Sequence, residues 1–89
     1  MSQVIRARAD LVWQEVEDQV VLLDPGTSTY HGVTGAGRIL WPLLVTGTTH
    51  EDLVAELQRV FEIDAARASG DIDTFLEELT PFLDGPPTP

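Results

Sequence analysis

The residues from Val20 to Thr34 constrain this chain more than any others. Val20-Val21-Leu22-Leu23 is an apolar run, and Asp24-Pro25-Gly26-Thr27-Ser28 is a turn signal in which proline presets φ and glycine supplies a positive φ. Thr29 to Val33 then reads as a second strand, and Thr34 reads as the N-cap of a helix. Upstream, Leu11 to Val16 alternates, with Leu11, Trp13 and Glu15 on one side and Val12, Gln14 and Val16 on the other. Glu17-Asp18 makes a tight turn between that run and Gln19 to Leu23. The three runs predict an antiparallel meander. Its nearly all-apolar middle strand is expected to be covered on both faces, and Thr29 to Val33 is left at an open edge.

Three helical segments follow. Thr34, Gly37, Leu40, Trp41, Leu43 and Leu44 keep helical spacing. Pro42 removes a backbone donor there, which predicts a kink or a short first helix before Thr46-Gly47-Thr48. Thr49, with Asp52 three residues later, is close to a capping box, and Leu53, Leu57, Val60 and Phe61 form one apolar stripe behind it. Asp64 caps a third helix whose stripe is Ile72, Phe75, Leu76, Leu79, Phe82 and Leu83, with Pro81 ending or bending it. The order predicts an α+β fold: a three-stranded antiparallel sheet followed by three helices, related to winged helix-turn-helix domains. Residues 1–10 read as an N-terminal arm, 11–83 as the domain, and 84–89 as a proline-rich tail expected to be disordered.

Composition narrows the function. The 89 residues carry a net charge of −10, with five arginines, no lysine and fifteen carboxylates. Nucleic-acid binding rests on neutralising phosphates with Lys and Arg. Here only Arg6 and Arg8 are close in sequence, so a nucleic acid is not the expected partner, and the acidity better suits a basic peptide. There is no cysteine, and no apolar run of the roughly 18 residues that a membrane span needs. With no apolar signal segment at the start, the cytoplasm is the default. His31 and His50 have no ligand partners at metal spacing, so no metal or other cofactor is expected. His50 reads as plain surface, whereas His31 on the edge strand can either touch a ligand or stay solvated. Glu77-Glu78 and the pair Asp71 and Asp73 read as solvated helix faces rather than an acid–base pair. Gly35-Ala36-Gly37 lacks the third glycine and the lysine of a phosphate loop. No nucleophile motif accompanies the serines, so the chain does not read as an enzyme. Trp13 and Trp41 read as core or sheet-face packing. Tyr30 fits equally a cross-strand contact or the wall of a peptide groove.

Taken together, Leu22-Leu23-Asp24, Thr29-Tyr30, Thr34-x-x-Gly37-x-x-Leu40-Trp41-x-Leu43-Leu44, Thr49-x-x-Asp52-Leu53 and Asp71-Ile72-x-x-Phe75-Leu76-x-x-Leu79 resemble the PqqD-like family. These proteins are precursor-peptide recognition elements of ribosomally made, modified peptides (RiPPs). The resemblance runs from about Leu11 to Leu83. It departs from the family at Thr34, where asparagine is usual, at Pro42 inside the first helix, and at Pro81, near where the family often closes with Gly-Leu-Leu.

The resemblance implies a leader peptide bound by strand addition between the third predicted strand and the third helix, with no catalysis. On this chain that places Thr29, Tyr30, His31, Gly32 and Val33 along the ladder, and Asp71, Ile72, Phe75, Leu76 and Leu79 on the facing helix. Asp71 and Asp73 are candidates to pair with a basic leader residue. Short stand-alone members look like the leader-binding subunits of lasso peptide pathways, which work with a separate leader peptidase and a macrolactam-forming cyclase. Other members act as peptide chaperones in other modified-peptide pathways. A winged-helix nucleic-acid-binding regulator is the alternative that the fold class leaves open.

Overall fold

The computed structural model describes residues 4–84; of the tail expected over 84–89 to be disordered, Asp84 is instead paired with Arg6 in a strand, and 85–89 lie outside the described residues. Three strands form the predicted meander: β2 (Val12–Val16), β3 (Gln19–Asp24) and β4 (Thr29–Val33), in the order β2-β3-β4. Val16 opposes Gln19, so Glu17-Asp18 closes a two-residue hairpin, and Glu17 takes a φ of 56°. Asp24 opposes Thr29 across a four-residue connection. The left-handed residue there is Ser28, at φ 57°, and not Gly26 as the sequence suggests. The reason lies in Asp24. Its carboxylate accepts from the Gly26 N–H at 3.0 Å, and its carbonyl accepts from the Ser28 N–H at 2.7 Å. The turn is thus wound around Asp24, and the left-handed step falls at its end.

Two further strands were not expected. β1 (Arg6–Ala7) pairs antiparallel with β5 (Leu83–Asp84), and Ile5 bridges Thr48. The segment read as an N-terminal arm is therefore woven into the fold from Ile5 onward, and Ala7 is buried in the core. Arg8 fastens this corner. Its guanidinium donates to Asp24 at 2.9 Å, to Asp10 at 2.6 Å and to the Pro81 carbonyl at 3.0 Å. Asp24 is 6 % exposed, and hydrogen bonding from Arg8 holds its carboxyl below the usual carboxylate range. The arginine's own pKa is raised by Asp10 and Asp24.

The helices are α1 (Ala36–Thr46), α2 (His50–Phe61) and α3 (Ala65–Leu79), with a short 3-10 turn at Thr80–Phe82. Thr49 accepts from the Asp52 N–H and Asp64 from the Arg67 N–H, as the caps predict. The first helix differs. Its N-cap is Gly35 at φ 60°, with no side-chain cap, rather than Thr34. Only a residue without a Cβ takes that conformation at little cost, and the sharp turn lets α1 start directly after β4. Nor does Pro42 shorten the helix, which continues through it to Thr46.

One face of the sheet packs on the helices. Val20, Leu22, Val33, Leu40, Trp41, Leu44, Leu53, Ile72 and Leu79 are at most 5 % exposed and form the centre of the core. Each such apolar side chain contributes roughly 1.5–3 kcal/mol by leaving water. Trp13 packs edge-on against buried Trp41, with ring centroids 6.0 Å apart. The middle strand is covered on one face only: Val20, Leu22 and Asp24 are buried, whereas Val21 and Leu23 remain partly exposed.

Candidate peptide-binding groove

Among the described residues, strand β4 has β3 on one side and a free edge on the other. Beside that edge lies a groove of about 290 Å³, walled by His31, Gly32, Val33 and Thr34 on the strand side. Asp71, Thr74, Phe75, Glu78 and Leu79 of α3 make the opposite wall, and Ala36 and Gly37 of α1 close the end. The α3 residues fall at i, i+3, i+4, i+7 and i+8, one face of a helix.

Gly37 is what lets α1 sit this close. A Cβ there would stand 2.7 Å from Val33 Cγ1 and 2.8 Å from Phe75 Cε1, one contact to each wall. His31 packs on Phe82 at 5.3 Å between centroids, so the ring is held against the 3-10 turn that follows α3 instead of extending freely into solvent.

Of the ten residues expected to meet a peptide, the structure gathers His31, Gly32, Val33, Asp71, Phe75 and Leu79 around one groove. The other four lie elsewhere. Tyr30 is 73 % exposed and shares the outer sheet face with Leu23 and Val12, opposite to His31 and Val33. Thr29 is exposed at the start of β4, outside the groove lining. Ile72 is fully buried in the core, and Leu76 packs partly buried against that core.

Thr34, Ala36, Gly37, Thr74 and Glu78 line the groove without having been singled out for it. The signal was present for two of them, since Thr74 and Glu78 complete the helical face that holds Asp71 and Phe75. Asp73, suggested as a partner for a basic residue, belongs to another contact. It meets His50 Nε2 at 2.8 Å and ties the start of α2 to α3, so His50 is not plain surface.

Chemically the groove offers apolar surface from Val33, Ala36, Phe75 and Leu79, an open row of backbone donors and acceptors on β4, and the carboxylates of Asp71 and Glu78. Among the described residues no group of three or more His, Cys, Asp or Glu side chains could hold a metal ion. No helix among them is long and apolar enough to cross a membrane.

Residues 19–80 match the family Coenzyme PQQ synthesis protein D (PqqD). The chain belongs to the PqqD family. Its fold is also that of TbiB1, solved in complex with the TbiA(beta) leader peptide: the TM-score is 0.82 at 29% sequence identity, covering 90% of this chain and 95% of that one. Among curated proteins none matches in sequence. The sheet followed by three helices is thus the PqqD-like arrangement, with β1 and β5 closing its open corner.

Proposed function

We propose that this PqqD-like protein is a RiPP recognition element that binds the leader region of a ribosomally synthesised precursor peptide. The leader adds as a strand to the free edge of β4 and places alternate apolar side chains between that strand and α3. The protein then hands the bound precursor to a separate leader peptidase and a macrolactam-forming cyclase, as in lasso peptide biosynthesis. It performs no chemistry itself.

The observation that carries this reading is the groove, which runs beside an unpaired strand edge with Phe75 and Leu79, flanked by Asp71, Thr74 and Glu78, as its other wall. That is the geometry of strand addition, in which main-chain hydrogen bonds give affinity and side-chain pockets give specificity. The likeness to TbiB1, itself solved with a leader peptide, supports the same reading. A nucleic-acid role draws no support. Arg8 is bound to Asp10 and Asp24, and Arg59 to Glu56, within a chain of net charge −10.

Two or three anchors of roughly 1.5–3 kcal/mol each, less an ordering cost of about 2–5 kcal/mol, together with the ladder, give affinity on the order of micromolar or better. Titration of the labelled TbiA(beta) leader, and of the leader of any short precursor found encoded beside this protein, is expected to saturate in that range. Failure of both to bind at high micromolar concentration would remove the proposal.

A further inference from the structure

A second cavity, of about 280 Å³, lies where α2 ends and α3 begins, lined by Leu57, Phe61, Ile63, Arg67, Ala36 and Asp71. Phe61 belongs to the apolar stripe of α2, yet it is 45 % exposed. The cavity is built from a rigid connector. Glu62 takes a left-handed φ of 53° and returns its N–H to the Gln58 carbonyl. The Gln58 side chain reaches the Ile63 carbonyl at 3.4 Å, and Asp64 caps α3. These contacts hold Ile63 and Phe61 at the rim before any ligand arrives.

The cavity neighbours the β4–α3 groove, and Ala36 and Asp71 line both. Along α3 the groove takes Asp71 to Leu79 and the cavity takes Arg67 and Asp71, so the cavity extends the groove past the end of the β4 ladder. At that end Gly35 turns the chain away into α1.

We infer that this cavity is a second anchor site, which takes an apolar side chain of the same peptide beyond its paired segment. The inference rests on the peptide-binding reading above. Phe75, central in the groove, and Arg67, at the far rim, are eight positions apart on α3, or about 12 Å at the helical rise. An extended peptide covers that distance in about four residues. Residues four apart on a strand point to the same side. The ligand therefore carries two apolar side chains spaced i and i+4, the first in the groove and the second against Phe61. An apolar occupant is specified because Leu57, Phe61, Ile63 and Ala36 supply most of the lining, and the polar pair at the rim, Arg67 and Asp71, already face each other at 3.9 Å.

The test uses the full chain, immobilised, to select binders from a displayed library of random peptides of about 15 residues, long enough for both sites at the strand rise. Selected peptides are expected to share two apolar positions four residues apart. Phe61→Asp is expected to weaken them about tenfold or more, the scale of one buried anchor. Alanine at the peptide's second anchor does the same, and the two changes together cost no more than one alone, as a double-mutant cycle of a direct contact requires. Phe61 is already part-exposed, so the variant keeps its fold, checked by thermal melting. If the two changes add independently, or if neither moves affinity by more than about twofold, the second site is wrong while the groove stands. If wild type selects no peptide, the peptide-binding reading fails and takes the second site with it.

Discussion

The three-stranded sheet has two free edges, and they are not alike. β2 is exposed at all five residues, and beyond its pairing with β3 it meets the core where Trp13 packs edge-on against Trp41. β4 is equally unpaired on its outer side, but it faces α3 across a groove and follows a turn wound around buried Asp24. An unpaired edge alone is only a hazard, a template for any passing strand. An edge beside a wall of side chains can discriminate between strands. The difference teaches that the site is made by what stands opposite the strand, more than by the strand.

The most severe way to break this comparison is to block one edge at a time. Consecutive residues of an antiparallel strand point their backbone groups to opposite sides, so proline at His31 and then at Gly32 must remove one outward N–H. That variant is expected to lose roughly a hundredfold in peptide affinity, about 2.7 kcal/mol. The equivalent prolines at Gln14 and Glu15 of β2 should leave affinity within about twofold of wild type if no ladder bond forms there. Fluorescence titration reads both, and equal losses at the two edges would erase the distinction.

A smaller effect is expected at Gly37. Alanine there pushes against Val33 and Phe75, one on each wall, and should cost about 1–2 kcal/mol of stability, toward the low end for overpacking because the Phe75 ring can yield. The displaced ring narrows the groove, so affinity falls along with the melting temperature. A variant that melts earlier but binds normally would show that α1 does not shape the site.

The smallest effect is a pH dependence on the β4 side alone. Folding lowers the Asp24 pKa through Arg8. The ion pair therefore contributes its full stability above the unfolded carboxyl pKa, about 4, and loses it as pH falls through the lower folded value. Thermal melts of wild type and Asp24→Asn should differ at neutral pH and converge in acid. A gap that persists at low pH would assign Asp24 a role other than its charge.

Much of this arrangement was legible from local chemistry. The meander followed from alternation and two turn signals, and the caps at Thr49 and Asp64 each act within one helical turn. What was not legible depends on distant residues. Nothing near Arg8 announces that it will meet Asp24 and the Pro81 carbonyl, and without that clamp a two-residue strand such as β1 has no signature. The cap at Gly35 was misplaced by one residue because a threonine beside a helical pattern is ordinarily the better cap. In the groove, Ile72 and Leu76 were grouped with Phe75 as one apolar stripe. The helix instead turns Ile72 fully into the core and leaves Asp71, Thr74, Phe75 and Glu78 facing β4. Periodicity identifies an apolar face but not which of its flanks meets a neighbour.

Arg8 belongs to neither wall of the groove, yet it holds the turn that leads into β4 through Asp24 and the backbone just past α3 through Pro81. The gap between strand and helix is therefore gauged by a third party, set when the chain folds and not when a guest arrives. A strand added at β4 would meet a gap fixed by this clamp, and most of the ordering cost of association would then fall on the guest.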